Sequence, residues 1–293
     1  MTYTPRKSEF GTNTTFVCEL EHPLSPQNVQ LFSCFPTFLP SPEKREELAA
    51  SFREKFPNRN PGRNDLQWRY ERFELDGDTL KITLSPTLYS WHNLLRNTPS
   101  SPDLSFAEQH RMYPTPFTIN SLQLTSDGYL PIAVRGGISD QRGLCALGSG
   151  FVDRLEGDAF PQSSHQLRIP LLYTTFDVVN KECSEETQYN VSADCISPSA
   201  FNINNSRFLG LVRGSNTDIA AIHFVPLNLP VTHRSVHLRP GNNEHSDLLF
   251  LPSDEKSIKE FLQQGGRDGM IANDHLLGGL ELFLKHRHEN GNL

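Results

Sequence analysis

Long hydrophobic runs are missing from this 293-residue chain: nowhere do about 18 consecutive apolar residues occur, the length a membrane-spanning helix requires. The opening stretch MTYTPRKSEFGTNTTFVCEL also lacks the apolar segment of a secretory signal. An intracellular, cytoplasmic protein with no membrane partner is therefore expected. The five cysteines (Cys18, Cys34, Cys145, Cys183 and Cys195) are odd in number, widely spaced and without a CxxC, which argues against a disulfide framework and against a zinc site. Basic surface is scarce too. With 27 Lys and Arg against 34 Asp and Glu, the formal charge is −7, and no basic stripe offers the counterion-displacing surface of a nucleic-acid binder. No nucleic-acid partner is expected. No internal repeat emerges, and QGGRDG (264–269) follows a helical stretch and lacks the lysine of a phosphate-binding P-loop.

What is present is the composition of a globular protein: 36% hydrophobic, 21% charged, with 19 Phe to fill a core. The length admits one large domain or two small ones, since domains commonly run to about 100–150 residues. Ser41-Pro42 followed by acidic residues predicts a helix through SPEKREELAASFREKF. Alternation on both sides of Asp76-Gly77 predicts a hairpin, and FTINSLQLTSDGYLPIAVRGG predicts a second around Asp127-Gly128. The Ser- and Pro-rich stretch from Thr98 to Ala107 reads as a linker. After a glycine-rich short strand (GLCALGSGF), helical phasing returns in TTFDVVNKECSEETQY. Two strands follow around Gly214-Ser215-Asn216, and a closing helix carries Leu276, Leu277, Leu280, Phe283 and Leu284 on one face. Trp68, Tyr70 and Phe73 fit a sheet's buried face better than a stacking site.

The segment KECSEETQY raises a chemical question. At 100° per residue Phe176, Val179, Cys183 and Thr187 share a stripe, and Glu182, Glu185 and Glu186 occupy the adjoining one, bordering the buried face. Like charges three and four apart repel by a few tenths of a kcal/mol per pair. Two explanations remain open at this level: a solvated acidic face, or oxygen ligands for a hard cation such as Mg²⁺.

These residues resemble the second half of the Nudix box, G-x5-E-x7-R-E-U-x-E-E-x-G-U, where U is a bulky aliphatic residue. Glu182, Glu185 and Glu186 stand where that family has its metal-binding glutamates, and Gly150 to Glu156 matches G-x5-E. The departures are specific. Between Glu156 and Lys181 lie 24 residues where the family has 7, which a loop tolerates because closure entropy grows only logarithmically with length. Lys181 replaces an arginine and loses its planar fork. Gln188 replaces the glycine after the helix, with Asn190 as a substitute C-cap, and Cys183 and Tyr189 occupy the bulky aliphatic positions.

The resemblance covers about residues 117–287. It implies an α+β protein whose residues 111–293 form a Nudix-like α/β/α sandwich with a mixed sheet, preceded by an α+β N-terminal extension over 1–110 of open role. It also implies a Mg²⁺ (or Mn²⁺) cofactor and hydrolysis of a small-molecule diphosphate, nucleoside-linked or otherwise organic. The implied ligands are first Glu185 and Glu186, with Glu182 either a third ligand or the hydrogen-bonding partner of Lys181, and with the Gly150 or Gly148 carbonyl; Arg135, Lys181 and Arg213 are expected to hold phosphates. Glu156 completes the box across the 157–175 insertion. Glu244, Asp247 and Glu255 are further acids that suit a general base, which the sequence does not single out. Dimers are frequent in that family, which admits a homodimer. The alternatives are a Nudix-fold protein with non-hydrolytic chemistry and a ligand-binding or regulatory module.

Overall fold

The structure is a computed structural model. It describes residues 5–36, 41–55, 66–95, 113–135, 143–152, 167–191, 203–215, 217–228, 236–240 and 245–290, with 159, 161, 163, 194–196, 230 and 232–233 between them. The expected linker from Thr98 to Ala107, Glu156 and Glu244 lie outside the described residues.

Alternating apolar residues build the central layer. Six strands assemble in the order Arg6–Lys7, Thr15–Leu24, Arg207–Arg213, Ile219–Pro226, Phe117–Leu124, Ser149–Phe151. Ile219–Pro226 and Phe117–Leu124 run parallel, and the other neighbours are antiparallel. Strands buried on both faces read as near-continuous apolar runs, and IAAIHFVP does so. Its two faces serve different layers. Ile219, Ala221 and Val225 pack with Phe176, Val179 and Cys183 of the acidic helix, Thr175–Glu186. Ala220, Ile222 and Phe224 pack with Leu276, Leu277, Leu280 and Phe283 of the closing helix, Asp274–Asn290. The protein is thus a mixed α+β structure with a helix on each face of its main sheet. No helix among the described residues is long and apolar enough to cross a membrane.

A second sheet, ordered Ile169–Pro170, Val29–Ser33, Thr79–Leu88, Leu66–Asp76, packs into the core that contains the acidic helix. The Asp76-Gly77 hairpin forms as expected, with Asp76 opposite Thr79. A register shift between Tyr70 and Arg72 reverses the alternation, so Phe73 pairs with Ile82 while Tyr70 pairs with Leu84, and both aromatics join the face of Trp68. Sheet and core run across the boundary expected at residue 110: Thr15–Leu24 pairs with Arg207–Arg213, and Trp68 N donates to Val152 O. Within the 157–175 stretch, Ile169–Pro170 adds an edge to Val29–Ser33, and Arg168 grips Glu74 with two 3.0 Å bonds.

Two expectations are corrected. The Asp127-Gly128 turn forms, with Thr125 N donating to Tyr129 O at 2.9 Å, but its flanking strands do not pair as a hairpin. Phe117–Leu124 is paired along its whole length with Ile219–Pro226 and at Thr118–Asn120 with Ser149–Phe151. Tyr129–Arg135 is paired along its length with His245–Pro252 and at Ile132–Arg135 with Gly143–Ala146. Each strand thus belongs to a different sheet, and the turn becomes a crossing between sheets. Asn190 is not a helix cap: the chain passes from Glu186 directly into the strand Thr187–Val191, where Asn190 lies opposite His237 and Cys195. Among the described residues, Cys18, Cys34, Cys145 and Cys183 form no disulfide.

Small residues decide how closely the closing helix approaches the sheet. A Cβ on Gly278 would lie 2.6 Å from both Thr14 Cγ2 and Val212 Cγ1, short β-branched groups with nowhere to move. Gly278→Ala is therefore expected to lower stability by about 1–3 kcal/mol through overpacking, read as a lowered midpoint in urea unfolding. Retention of the wild-type midpoint would show the helix is free to shift.

Candidate functional site

The acidic helix begins at a reciprocal cap. Asp177 Oδ2 accepts from Thr174 N at 2.7 Å, and Thr174 Oγ1 accepts from Asp177 N at 3.4 Å, which satisfies amides that a helix start leaves open. One residue on, Thr175 Oγ1 lies 2.9 Å from His223 Nε2, whose other nitrogen lies 3.2 Å from Ala221 O. His223 is fully buried, and desolvation pushes its pKa down to about 3, so it packs as a neutral core residue and pins the helix to the sheet. Two turns later Cys183 Sγ settles 3.3 Å from Ser121 Oγ and 3.4 Å from Gln123 Nε2, with burial raising the thiol to about 12.

Because Glu182 and Glu186 flank Cys183 one turn apart, both carboxylates reach the turn Gly148-Ser149-Gly150 that precedes and opens the edge strand of the main sheet. Glu186 is 3% exposed, and its Oε2 accepts from Gly148 N at 2.7 Å and Ser149 N at 3.2 Å. A buried carboxylate is tolerable only when it is hydrogen-bonded in this way. Gly148 has φ +70°, and a Cβ there would lie 2.6 Å from Ser121 Oγ and 2.8 Å from Cys183 Sγ. Only glycine fits. At Gly150 a Cβ would come within 2.6 Å of Glu182 Cδ, so the missing side chain is the seat of the Glu182 carboxylate.

Glu182 is 13% exposed at its side chain, and its pKa is raised to about 7. Burial is the largest cause; Lys181 opposes it, and Glu186 and Glu185 add to it. Lys181 Nζ stands 3.5 Å from the Glu182 carboxylate and is largely exposed. Glu185 points to solvent and does not join the turn. Among the described residues no group of three His, Cys, Asp or Glu side chains converges to hold a metal without further ligands.

One participant escaped sequence reasoning. His245 Nε2 lies 3.2 Å from Glu186 Oε2, and the His245 side chain is buried. It begins the strand His245–Pro252, directly opposite Arg135. The segment NNEHSDLLFLP draws attention through its acids, whereas a single histidine at a strand start carries no local signal. Arg135 is half-buried, and its Nε donates to Cys145 Sγ at 3.3 Å. Asp247, two residues beyond His245, is exposed and accepts from Leu248 N. Glu255 pairs with Lys259 on its own helix. Arg213 is not brought to the turn: its strand lies three places across the sheet from Ser149–Phe151, and burial beside Asp218 depresses its guanidinium, with Asp218 opposing.

No protein-family model matches the chain, and no curated protein matches it in sequence. Among solved structures it is similar to the crystal structure of DR0079 from Deinococcus radiodurans, at 15% identity over 74% of this chain and 96% of that one. The TM-score is 0.38, too low for that likeness to carry an argument.

The raised Glu182 gives a signed pH dependence in the metal-free protein. Folded, the group keeps its proton up to about pH 7; unfolded, it loses it near 4.5. Its contribution to stability is thus full below pH 4.5 and is lost as pH rises to 7 and beyond, amounting to about 3 kcal/mol. Between pH 4.5 and 8, wild type is expected to lose stability relative to Glu182→Gln by about that amount in denaturant titrations. Parallel curves for the two proteins would place Glu182 at an ordinary pKa.

Proposed function

We propose that the chain is a cytoplasmic, Nudix-like hydrolase that uses a divalent cation to split the diphosphate bond of a small organic substrate. The observation that carries this reading is the seating of Glu182 and Glu186 against Gly148-Ser149-Gly150, the same glycine turn and acidic helix that the sequence resemblance pairs. The main sheet with a helix on each face is consistent with it.

The donor set suits Mg²⁺ or Mn²⁺. Both are hard ions satisfied by one or two carboxylates with water and phosphate oxygens in the remaining positions. Glu182 is a buried acid beside a second acid, with an exposed lysine as its close cationic neighbour, which is a site short of positive charge. Glu182 and the Glu186 oxygen not bonded to the turn would hold the ion, and Glu185 can supply only an outer contact from its exposed position. When bound, the ion supplies charge neutralisation of the diphosphate and a lowered pKa for coordinated water.

The protein's own groups do the rest. Glu182 would bind the ion as the carboxylate, and its raised pKa in the metal-free protein reflects burial beside Glu186 and Glu185. Arg135, across from His245 in the strand ladder, would bind a phosphate oxygen of the substrate, and Lys181, exposed beside Glu182, would add positive charge. A ligand-binding or regulatory module of the same fold is the second reading. It is favoured by the use of Glu186 Oε2 as an internal acceptor and by the outward Glu185.

Incubation with a panel of nucleoside-linked and other organic diphosphates is expected to yield the phosphomonoester products, with inorganic phosphate where the diphosphate is terminal, only with Mg²⁺ or Mn²⁺. Glu182→Gln, which removes a ligand of the ion, should slow hydrolysis by at least about 10–100-fold, and Gly150→Ala should slow it by displacing Glu182. Turnover that persists in chelator rules out the metal dependence, and turnover that Glu182→Gln leaves intact rules out this site; tight binding of a diphosphate without turnover selects the second reading.

A further inference from the structure

We propose that His245 is a positioning residue that orients Glu186 for a divalent cation. The inference rests on the metal-dependent reading above. Three observations lead to it. His245 is 5% exposed, while the next two residues of its strand, Ser246 and Asp247, are exposed, and the register with Tyr129–Arg135 shifts between His245 and Asp247. A bulge of this kind re-aims a side chain, and here the imidazole faces the acidic helix. Next, its Nε2 lies 3.2 Å from Glu186 Oε2, off the line of a hydrogen bond, and neither ring nitrogen has a hydrogen-bond partner among the described residues. His223 is the contrast within the same molecule: equally buried, it has both nitrogens partnered, as a packing histidine should. Finally, Glu186 Oε2 already accepts from two backbone amides, so an imidazole on that side leaves Oε1 as the oxygen presented to a ligand.

A small rotation of the ring would turn the close Nε2–Oε2 approach into a donated N–H bond and fix the carboxylate plane. Outer partners of metal-binding carboxylates act in this way, and their loss commonly weakens metal binding by about 10–100-fold. Arg135 lies opposite His245 in the ladder, with its Nε donating to Cys145 Sγ at 3.3 Å.

The test uses the full chain and Mn²⁺ alone, titrated by electron paramagnetic resonance at fixed pH, with thermal unfolding measured on the same samples. His245→Leu is expected to bind Mn²⁺ about 10–100-fold more weakly than wild type, and His245→Gln, whose amide nitrogen reaches the Nε2 position, is expected to recover most of the affinity. Equal affinity in wild type and His245→Leu overturns the assignment while leaving the metal site standing. If His245→Leu does not fold, a weak His245→Gln with wild-type melting overturns it instead. A wild-type chain that takes up no Mn²⁺ removes the metal-dependent reading and this assignment together.

Discussion

The structure around the candidate site depends on one buried carboxylate. Glu186 closes the end of the acidic helix by accepting from the amides of Gly148 and Ser149, and each such charge-assisted bond is worth roughly 1.5–3 kcal/mol when the acceptor is desolvated. Without those donors the carboxylate would be a buried charge with no compensation, and the helix end would move to water. With them the helix and the glycine turn become one unit. Glu182, one helical turn earlier, is then carried onto Gly150 whether or not it gains anything there, and its raised pKa records the cost of that placement.

That unit is held in place from the other end. The cap at Thr174 and Asp177, the His223 contact to Thr175, and the packing of Phe176 edge-on to His223 at 4.7 Å fix the helix start over the Ile219–Pro226 strand. Cys183 between the two glutamates fills the space that Gly148 leaves open beside Ser121 and Gln123. A glycine-free turn would collide with this packing. The chemistry of the site and the stability of the fold therefore use the same residues, and a substitution at Gly148 or Glu186 would disturb both.

The parallel contact of Phe117–Leu124 with Ile219–Pro226 joins segments that are far apart in the chain, and it governs everything downstream. It runs the full length of the earlier strand, and the glycine strand meets that strand on its other edge at Thr118–Asn120. The Asp127-Gly128 turn, whose local chemistry is that of a hairpin, sends the chain into a separate sheet with His245–Pro252 and Gly143–Ala146. The same diversion puts Arg135 and His245 side by side and brings His245 back to Glu186.

Local sequence determined the elements: the helices at Pro42–Lys55, Thr175–Glu186 and Asp274–Asn290, the Asp76-Gly77 hairpin, and the adjacency of Glu182 and Glu186 on one helical edge all follow from spacing within a few residues. It also tied glycine turn to acidic helix, through motif rather than through physics. Tertiary structure alone decided which edges pair, that Glu185 faces water while Glu186 is buried, that Arg213 lies across the sheet from the turn, and that His245 completes the environment of Glu186. The reason is the range of the forces involved. Helical period and turn preference act over a handful of residues, whereas strand edges are claimed by whichever partner the whole chain brings to them, and a histidine's neighbours are chosen only after those edges are filled.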